Sequence, residues 1–315
     1  MLLEATVEQK SGTLTNQLFE YIREKHPRSW PGISEAFETD PRRFVELVDM
    51  FLGWLTESRG VPGMLAATDS FVQFTSDVNL AQARYERAGK YAELSFDDVY
   101  ASHYSDDEAM DYYLWGLFLA NFLWQHHFSL SLFFQDRFLA RLKPDTELLE
   151  LAPGHGGWGA WALTELAESR LRGYDISPQS IRVAREITSA AGLSERAEYV
   201  EGDALAVGTN SPESADAAIS CCLAEHLPDP GRLFAAIHGA LRPRGLAFVT
   251  VALTAAQVDH VYEFRRESEV VTMCEDHGFR VLEMLSAGPH RTLPKAQFLP
   301  RSVAVVLQKR TNNIF

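Results

Sequence analysis

The chain has 315 residues, 46% of them hydrophobic and 23% charged, which is enough to build one large core or two ordinary domains. Its 29 Lys and Arg against 43 Asp and Glu give a net charge of -14, a field that repels polyanions and argues against an extended nucleic-acid footprint. The three cysteines, Cys221, Cys222 and Cys274, have neither metal-ligand spacing nor the pattern of a disulfide framework. The N-terminal run is too acidic for a signal peptide, and no uncharged apolar run reaches the ~18 residues that suggest a membrane span. The expectation is a cytoplasmic protein with no membrane partner and no nucleic-acid partner.

Residues 13 to 57 read as two or three amphipathic helices, and Gly60-Val61-Pro62-Gly63 as a break. The segment from Tyr104 to Phe138 holds 11 of the chain's 35 aromatic residues. Such density points to a buried helix pair or to the wall of an apolar pocket. A core helix, or one that forms a homodimer, fits the same composition. Within it, Trp124-Gln125-His126-His127-Phe128 places two histidines on one helix, of which one can face a given side. His127 or His126 is therefore a candidate for a site, but neither has two further ligands at metal spacing, so no metal is expected. Tyr85, Tyr91, Tyr104, Tyr112 and Tyr113 are candidate lid residues, although buried tyrosines are ordinary in a helical core.

After Pro144 the pattern changes to short apolar runs alternating with amphipathic ones, the mark of βαβ units. Strands are expected at Glu147 to Ala152, Leu171 to Asp175, Ala197 to Glu201, Asp216 to Cys221 and Leu246 to Ala252. A last pair, Phe279 to Ser286 and Ser302 to Gln308, is placed as an antiparallel edge. Helices are expected at Gly157 to Ser169, from Pro178 to about Ala191, from Pro230 to Leu241, and from about Arg265 to His277. Ser177-Pro178 caps the second of these, with proline where its missing N–H costs nothing. The division is a helical unit over 1–143, serving as cap and dimerisation region, and an α/β unit over 144–315.

The strongest local signal is Glu150-Leu151-Ala152-Pro153-Gly154-His155-Gly156-Gly157-Trp158-Gly159, at the expected junction of first strand and first helix. A glycine-rich turn there presents backbone N–H groups to a ligand and lets it approach without meeting a Cβ. Alone this is a weak signal, because a dinucleotide loop looks similar. Two acids strengthen it. Asp175 ends the second strand, where a carboxylate accepts from ribose hydroxyls. Asp203, in Glu201-Gly202-Asp203-Ala204, follows the third and is placed to meet an adenine amine. The plainer reading of each acid is a solvated strand end or a helix cap.

Taken in order, Leu149-Glu150-x-x-Pro153-Gly154-x-Gly156, Tyr174-Asp175-Ile176-Ser177-Pro178, Glu201-Gly202-Asp203-Ala204 and Glu225-His226-Leu227-Pro228-Asp229-Pro230 resemble class I S-adenosylmethionine-dependent methyltransferases. The resemblance covers residues 144 to about 310. It implies a Rossmann-like α/β fold with a seven-stranded sheet in the order 3-2-1-4-5-7-6, strand 7 antiparallel. It implies that Glu150 and the loop from Ala152 through Gly154 to Gly156 lie against the methionine end of S-adenosylmethionine. Asp175 with Ile176 would hold the ribose, Asp203 with Ala204 the adenine, and Cys221 would border the cofactor. The product would be S-adenosylhomocysteine. Ala152 departs from the family pattern, which has glycine there. A methyl is accommodated if φ is negative and strained if it is positive. The dinucleotide fingerprint wants a third glycine three residues after the second, and Gly159 fills that place, so NAD stays a rival.

Ligands of open α/β sheets sit beyond the carboxyl ends of the strands, so acceptor-side residues are sought after the fourth and fifth strands and in the helical cap. His226 is a candidate general base, or else a loop support. Cys221 and Cys222 read as small packing residues rather than nucleophiles. Gln257-Val258-Asp259-His260-Val261-Tyr262-Glu263-Phe264 is an ionisable cluster in which His260 titrates near neutrality; it reads equally as the start of an amphipathic helix with solvated acids. His290-Arg291 would bind a carboxylate or simply sit in a surface hairpin. The leading expectation is methyl transfer to a small-molecule O, N or S atom, possibly in secondary metabolism. A protein or RNA methyltransferase, an NAD-binding oxidoreductase and a non-catalytic cofactor-binding scaffold are the alternatives.

Overall fold

The computed structural model describes residues 13–91, 107–289 and 299–311. The N-terminal region is helical: α1 Leu14–Lys25, α2 Trp30–Thr39, α3 Pro41–Ala88, α4 Asp107–Leu123 and α5 Gln125–Phe133. Short polar side chains start α1 and α3. The Thr13 hydroxyl accepts from the Asn16 N–H, and Asp40, followed by Pro41 at the first helical position, accepts from the Arg43 N–H; both satisfy donors that no helical carbonyl can reach. The expected break is a kink inside α3, where Gly60 takes φ 67°, ψ 177°.

The α/β part follows as β1 Glu147–Leu151, α6 Gly157–Glu165, β2 Arg170–Asp175, α7 Pro178–Ala190, β3 Ala197–Glu201, α8 Val207–Asn210, β4 Ala215–Cys221, α9 Gly231–Ala240, β5 Leu241–Leu253, α10 Glu267–Asp276, β6 Phe279–Ala287 and β7 Arg301–Lys309. The sheet order is β3-β2-β1-β4-β5-β7-β6, with β7 antiparallel to both neighbours. This is the expected order. The period-2 alternation of each strand divides its side chains between two cores. Leu148, Phe248, Ala304 and Val306 face the N-terminal helices, α6 and α7; Leu149, Val249, Val303 and Val305 face α9 and α10.

Strand β5 begins at Leu241 rather than Leu246, pairing Leu241 with Ala215 of β4, and two further boundaries move for local reasons. Helix α6 stops at Glu165 rather than Ser169, because Arg196 donates to the carbonyls of Leu163 at 2.8 Å, Leu166 at 2.9 Å and Ala167 at 3.0 Å. That guanidinium satisfies the carbonyls a helix end leaves open. The cluster around His260 does not begin a helix. Thr254 donates to the Phe264 carbonyl at 2.9 Å and Leu253 bridges Phe264, so 254–264 is a closed loop and α10 begins after it. The proposed hairpin residues His290 and Arg291 lie outside the described residues, as does Tyr104.

The aromatic segment is both core and wall. Phe134 packs against Trp158 and Phe248, each at 4.9 Å between ring centres, and Phe138 joins them. These rings wedge the helical region onto the sheet. Arg59 adds polar ties, with Nε 2.6 Å from Glu186 of α7 and Nη1 3.2 Å from Asp111 of α4.

Candidate active site

Strand β1 delivers the loop. Ala152 has φ 53°, Gly154 54° and Gly156 70°. Gly156 is the residue that precedes α6, and a Cβ on it would stand 2.7 Å from the Ala184 backbone, so only glycine lets the loop lie against α7. His155 locks the turn. Its Nδ1 accepts the Gly157 N–H at 2.9 Å, which puts the ring proton on Nε2, and that nitrogen meets the Asn121 amide at 2.9 Å. A donating Nε2 calls for the amide oxygen there. Burial holds this imidazole neutral, its pKa pushed down to about 3. The loop is therefore fastened to α4.

Ala152 falls on the strained side of the expectation. A left-handed alanine costs about 1–2 kcal/mol, and its N–H is tied to the Tyr174 carbonyl at 2.8 Å. Cys222, with φ 53°, and Thr254, with φ 47°, lie just past the ends of β4 and β5. Strain of this kind, gathered where three neighbouring strands end, marks a site. Ala152→Gly should remove the strain but make the unfolded chain freer, a partial offset of about 0.4–1 kcal/mol. The net expectation is a rise in Tm of about 1–3 °C. A fall in Tm by calorimetry would contradict the assigned backbone conformation.

Glu150 and Asp175 are the buried acids of the site, 2% and 6% exposed. Glu150 accepts from the Gly159 N–H, while its Oε2 has no hydrogen-bond partner. Loss of solvation raises its pKa to about 8. Asp175 accepts the N–H groups of Ser177 at 2.9 Å and Gly154 at 3.2 Å. Those bonds oppose the burial that raises it to about 6. Asp203 is exposed and its Oδ1 accepts the Leu205 N–H at 2.8 Å. It is a helix cap and a wall residue at once.

These groups share one cavity of about 550 Å³. Its sheet side holds Glu150, Ala152, Gly154, Asp175, Ile176, Asp203, Ala204 and Cys221 from the expected set. Its other side comes from the helical region: Met110, Tyr113, Leu114, Leu117 and Asn121 of α4, then His127 and Leu130 of α5. Gly156 lies behind the wall and shapes it. Tyr113 is the one described tyrosine of the lid set that lines the cavity. Tyr112 turns away to Asp77, and the hydroxyls of Tyr85 and Tyr91 donate to Glu263 and the Ala255 carbonyl. His127 lines it with Nε2 3.4 Å from the Ser302 hydroxyl, and burial keeps its ring neutral. His126 instead stacks on Trp124. Burial raises the Cys222 thiol to about 12 and Cys221 well above its usual range, so neither is a thiolate nucleophile.

The histidines after β4 and β5 separate in role. His226 lines the cavity, and its Nδ1 lies 3.1 Å from the Asp259 carbonyl. His260, expected on the acceptor side, does not line the cavity. It stacks edge-on behind His226 at 4.8 Å, and its Nδ1 lies 2.7 Å from the Ala255 carbonyl. The cause is α3, whose Gln82 clasps the loop with both ends of its amide, 3.1 Å to the Thr254 carbonyl and 2.9 Å from the Ala256 N–H. That clasp turns Asp259 and His260 inward, so the acids are not solvated. Sequence reasoning missed Asn121, Met110, Leu114 and Arg232. Asn121 carried a signal, a lone amide within the apolar run of α4.

Residues 149–249 match a family described as a methyltransferase domain. No curated protein sequence matches the chain. Among solved structures, the cyclase SpnF is similar at 16% identity with a TM-score of 0.51, the match covering 60% of this chain and 83% of that one. Phosphoethanolamine N-methyltransferase 2 of Haemonchus contortus, in complex with S-adenosyl-L-methionine, is similar at 18% identity with a TM-score of 0.53, over 69% of this chain and 60% of that one. At such identities the likeness carries the fold, and one fold hosts several chemistries. Sheet order, glycine loop and matched domain agree: residues 149–249 match a methyltransferase domain, and the sheet has the Rossmann-like order expected of class I S-adenosylmethionine-dependent methyltransferases.

Proposed function

We propose that the protein transfers a methyl group from S-adenosylmethionine to a small, largely apolar acceptor held between α4, α5 and the strand ends, leaving S-adenosylhomocysteine. One observation carries the reading: strand-end acids and cap residues line the same cavity. In this reading residues 1–143 act as the cap and 144–315 as the cofactor-binding unit. A homodimer through the N-terminal helices and a cytoplasmic location belong to the same proposal.

The residues present fit the cofactor. Glu150 Oε2 is a buried carboxylate oxygen without a hydrogen-bond partner, suited to the methionine end. Asp175 keeps two backbone donors on its carboxylate, which leaves lone pairs for ribose hydroxyls. The bound cofactor supplies an activated methyl on sulfur. The chain's own residues align the acceptor, exclude water and take a proton from it where it carries one. His226 and the neutral His127 are the bases that line the cavity. Arg232 is the one permanent cation among the described lining residues, which favours an uncharged acceptor over a phosphorylated one.

Calorimetric titration tests the cofactor. S-Adenosylmethionine and S-adenosylhomocysteine are expected to bind and NAD to give no heat. Heat with NAD alone would restore the dinucleotide reading. An acceptor panel with labelled methyl then separates small molecules from RNA and protein.

A further inference from the structure

We propose that Glu225, His226 and His260 bind a divalent transition-metal ion of the zinc class, with Asp259 orienting His226. One ligand atom from each of the three lies within 4.8 Å of the others, and all three residues are buried. The site does not depend on the methyl-transfer reading.

The loops after β4 and β5 build it together. The Glu225 carbonyl accepts the N–H groups of both Val261 at 3.0 Å and Tyr262 at 2.9 Å, fixing one loop against the other. Each histidine is oriented by a carbonyl, Asp259 for His226 and Ala255 for His260. A carbonyl only accepts, so each Nδ1 carries the proton and each Nε2 the lone pair. His226 Nδ1 also lies 3.4 Å from the Asp259 carboxylate. A ligating histidine that donates its other nitrogen to a carbonyl or carboxylate is the usual support around a bound metal.

Glu225 supplies the charge. It is fully buried, its Oε1 accepts the Ala252 N–H at 3.2 Å, and its Oε2 has no hydrogen-bond partner. An ionised carboxylate is costly to bury unless a cation or a proton meets it. Both imidazoles stand beside this carboxylate, and each already has its Nδ1 turned to a backbone carbonyl. Two nitrogens and one oxygen suit zinc, cobalt or iron better than magnesium or calcium, which take oxygen sets. Zinc–nitrogen bonds of about 2.0–2.1 Å put tetrahedral ligands roughly 3.4 Å apart, so loading draws these atoms in by about 1.4 Å at most. Three protein ligands leave a position open. His226 also lines the cavity, so the ion stands in the cavity wall, and a metal-bound His226 leaves His127 as the free base there. Spacing along the chain gave no metal signature because the ligands follow different strands.

The test uses tag-free full-length protein, stripped with chelator and dialysed. Zinc is titrated by calorimetry, magnesium is titrated separately, and bound metal is counted by mass spectrometry. One zinc per chain is expected, with no magnesium uptake at the same concentrations. His260→Gln and Glu225→Gln should weaken zinc by more than about 100-fold, and Asp259→Asn by about 10- to 100-fold. Cobalt loading should give a visible band that His260→Gln abolishes. Folding of each variant is read by cooperative thermal melting, and S-adenosylhomocysteine binding in the same samples. Wild-type protein that melts cooperatively but takes up no zinc overturns the proposal and leaves a proton as the occupant. Unchanged zinc affinity in a folded His260→Gln or Asp259→Asn overturns it too. Zinc uptake without S-adenosylhomocysteine binding would count against the methyl-transfer reading alone.

Discussion

Glu150→Gln is expected to stabilise the cofactor-free protein at pH 8 relative to pH 5, while weakening its hold on S-adenosylhomocysteine. In the folded chain the Glu150 carboxyl titrates at about 8, against 4.5 when unperturbed. Between those values the unfolded chain has released the proton and the folded chain keeps it. Folding must then take a proton up, so stability falls as pH rises from about 4.5 to 8. At pH 7 the cost is on the order of 3 kcal/mol. Glutamine removes that dependence. Its oxygen still accepts the Gly159 N–H, but its amide is buried where Oε2 had no partner, a pH-independent loss of about 1–3 kcal/mol. The variant should melt no higher than the parent at pH 5 and gain on it by about 5–10 °C by pH 8. S-Adenosylhomocysteine affinity should drop by at least about 10-fold, the size of one charged hydrogen bond. A difference in melting temperature that stays constant from pH 5 to 8 would show that Glu150 is ionised throughout.

The legible parts of this chain were those set by local chemistry. Gly154 and Gly156 announced a turn that needs positive φ, Ser177-Pro178 a helix start, and the alternating apolar runs the seven strands. Asp175 and Asp203 were readable because strand ends fall at regular distances behind a glycine loop. Contacts made across the chain were not readable. Nothing near His260 told that Gln82, far upstream in α3, would clasp its loop and turn it inward. Nothing near Ser169 told that Arg196 would end α6 early. The aromatic run was read as core or pocket wall, and it is both, since α4 faces the cavity with Tyr113 and Leu117 while Phe134 and Phe138 beyond α5 wedge into the sheet. Periodicity cannot divide such a run, because its apolar residues occupy several helix faces at once.

Gly159→Ala carries the second large effect, and it also settles why a dinucleotide-like spacing occurs here. A Cβ on Gly159 would stand 2.3 Å from Glu150 Oε2 and 2.5 Å from Leu171 Cδ2. The third glycine therefore serves close packing of α6 on β1, a need that any ligand of this loop shares with NAD. Alanine favours the helix by about 1 kcal/mol, but overpacking costs about 1–3 kcal/mol. Leu171 can swing the end of its side chain aside. Glu150 is less free to move, because its buried carboxyl is held by the Gly159 N–H. The net expectation is a loss of up to about 2 kcal/mol in stability and a displaced carboxyl that weakens S-adenosylhomocysteine about 100-fold or more. The cause is separable by a double-mutant cycle. In a Glu150→Ala background the Cβ meets no carboxyl, so Gly159→Ala should become neutral or stabilising, with a coupling of about 1–3 kcal/mol. Additive melting free energies across the cycle would move the clash from Glu150 to Leu171 and detach Gly159 from the cofactor site.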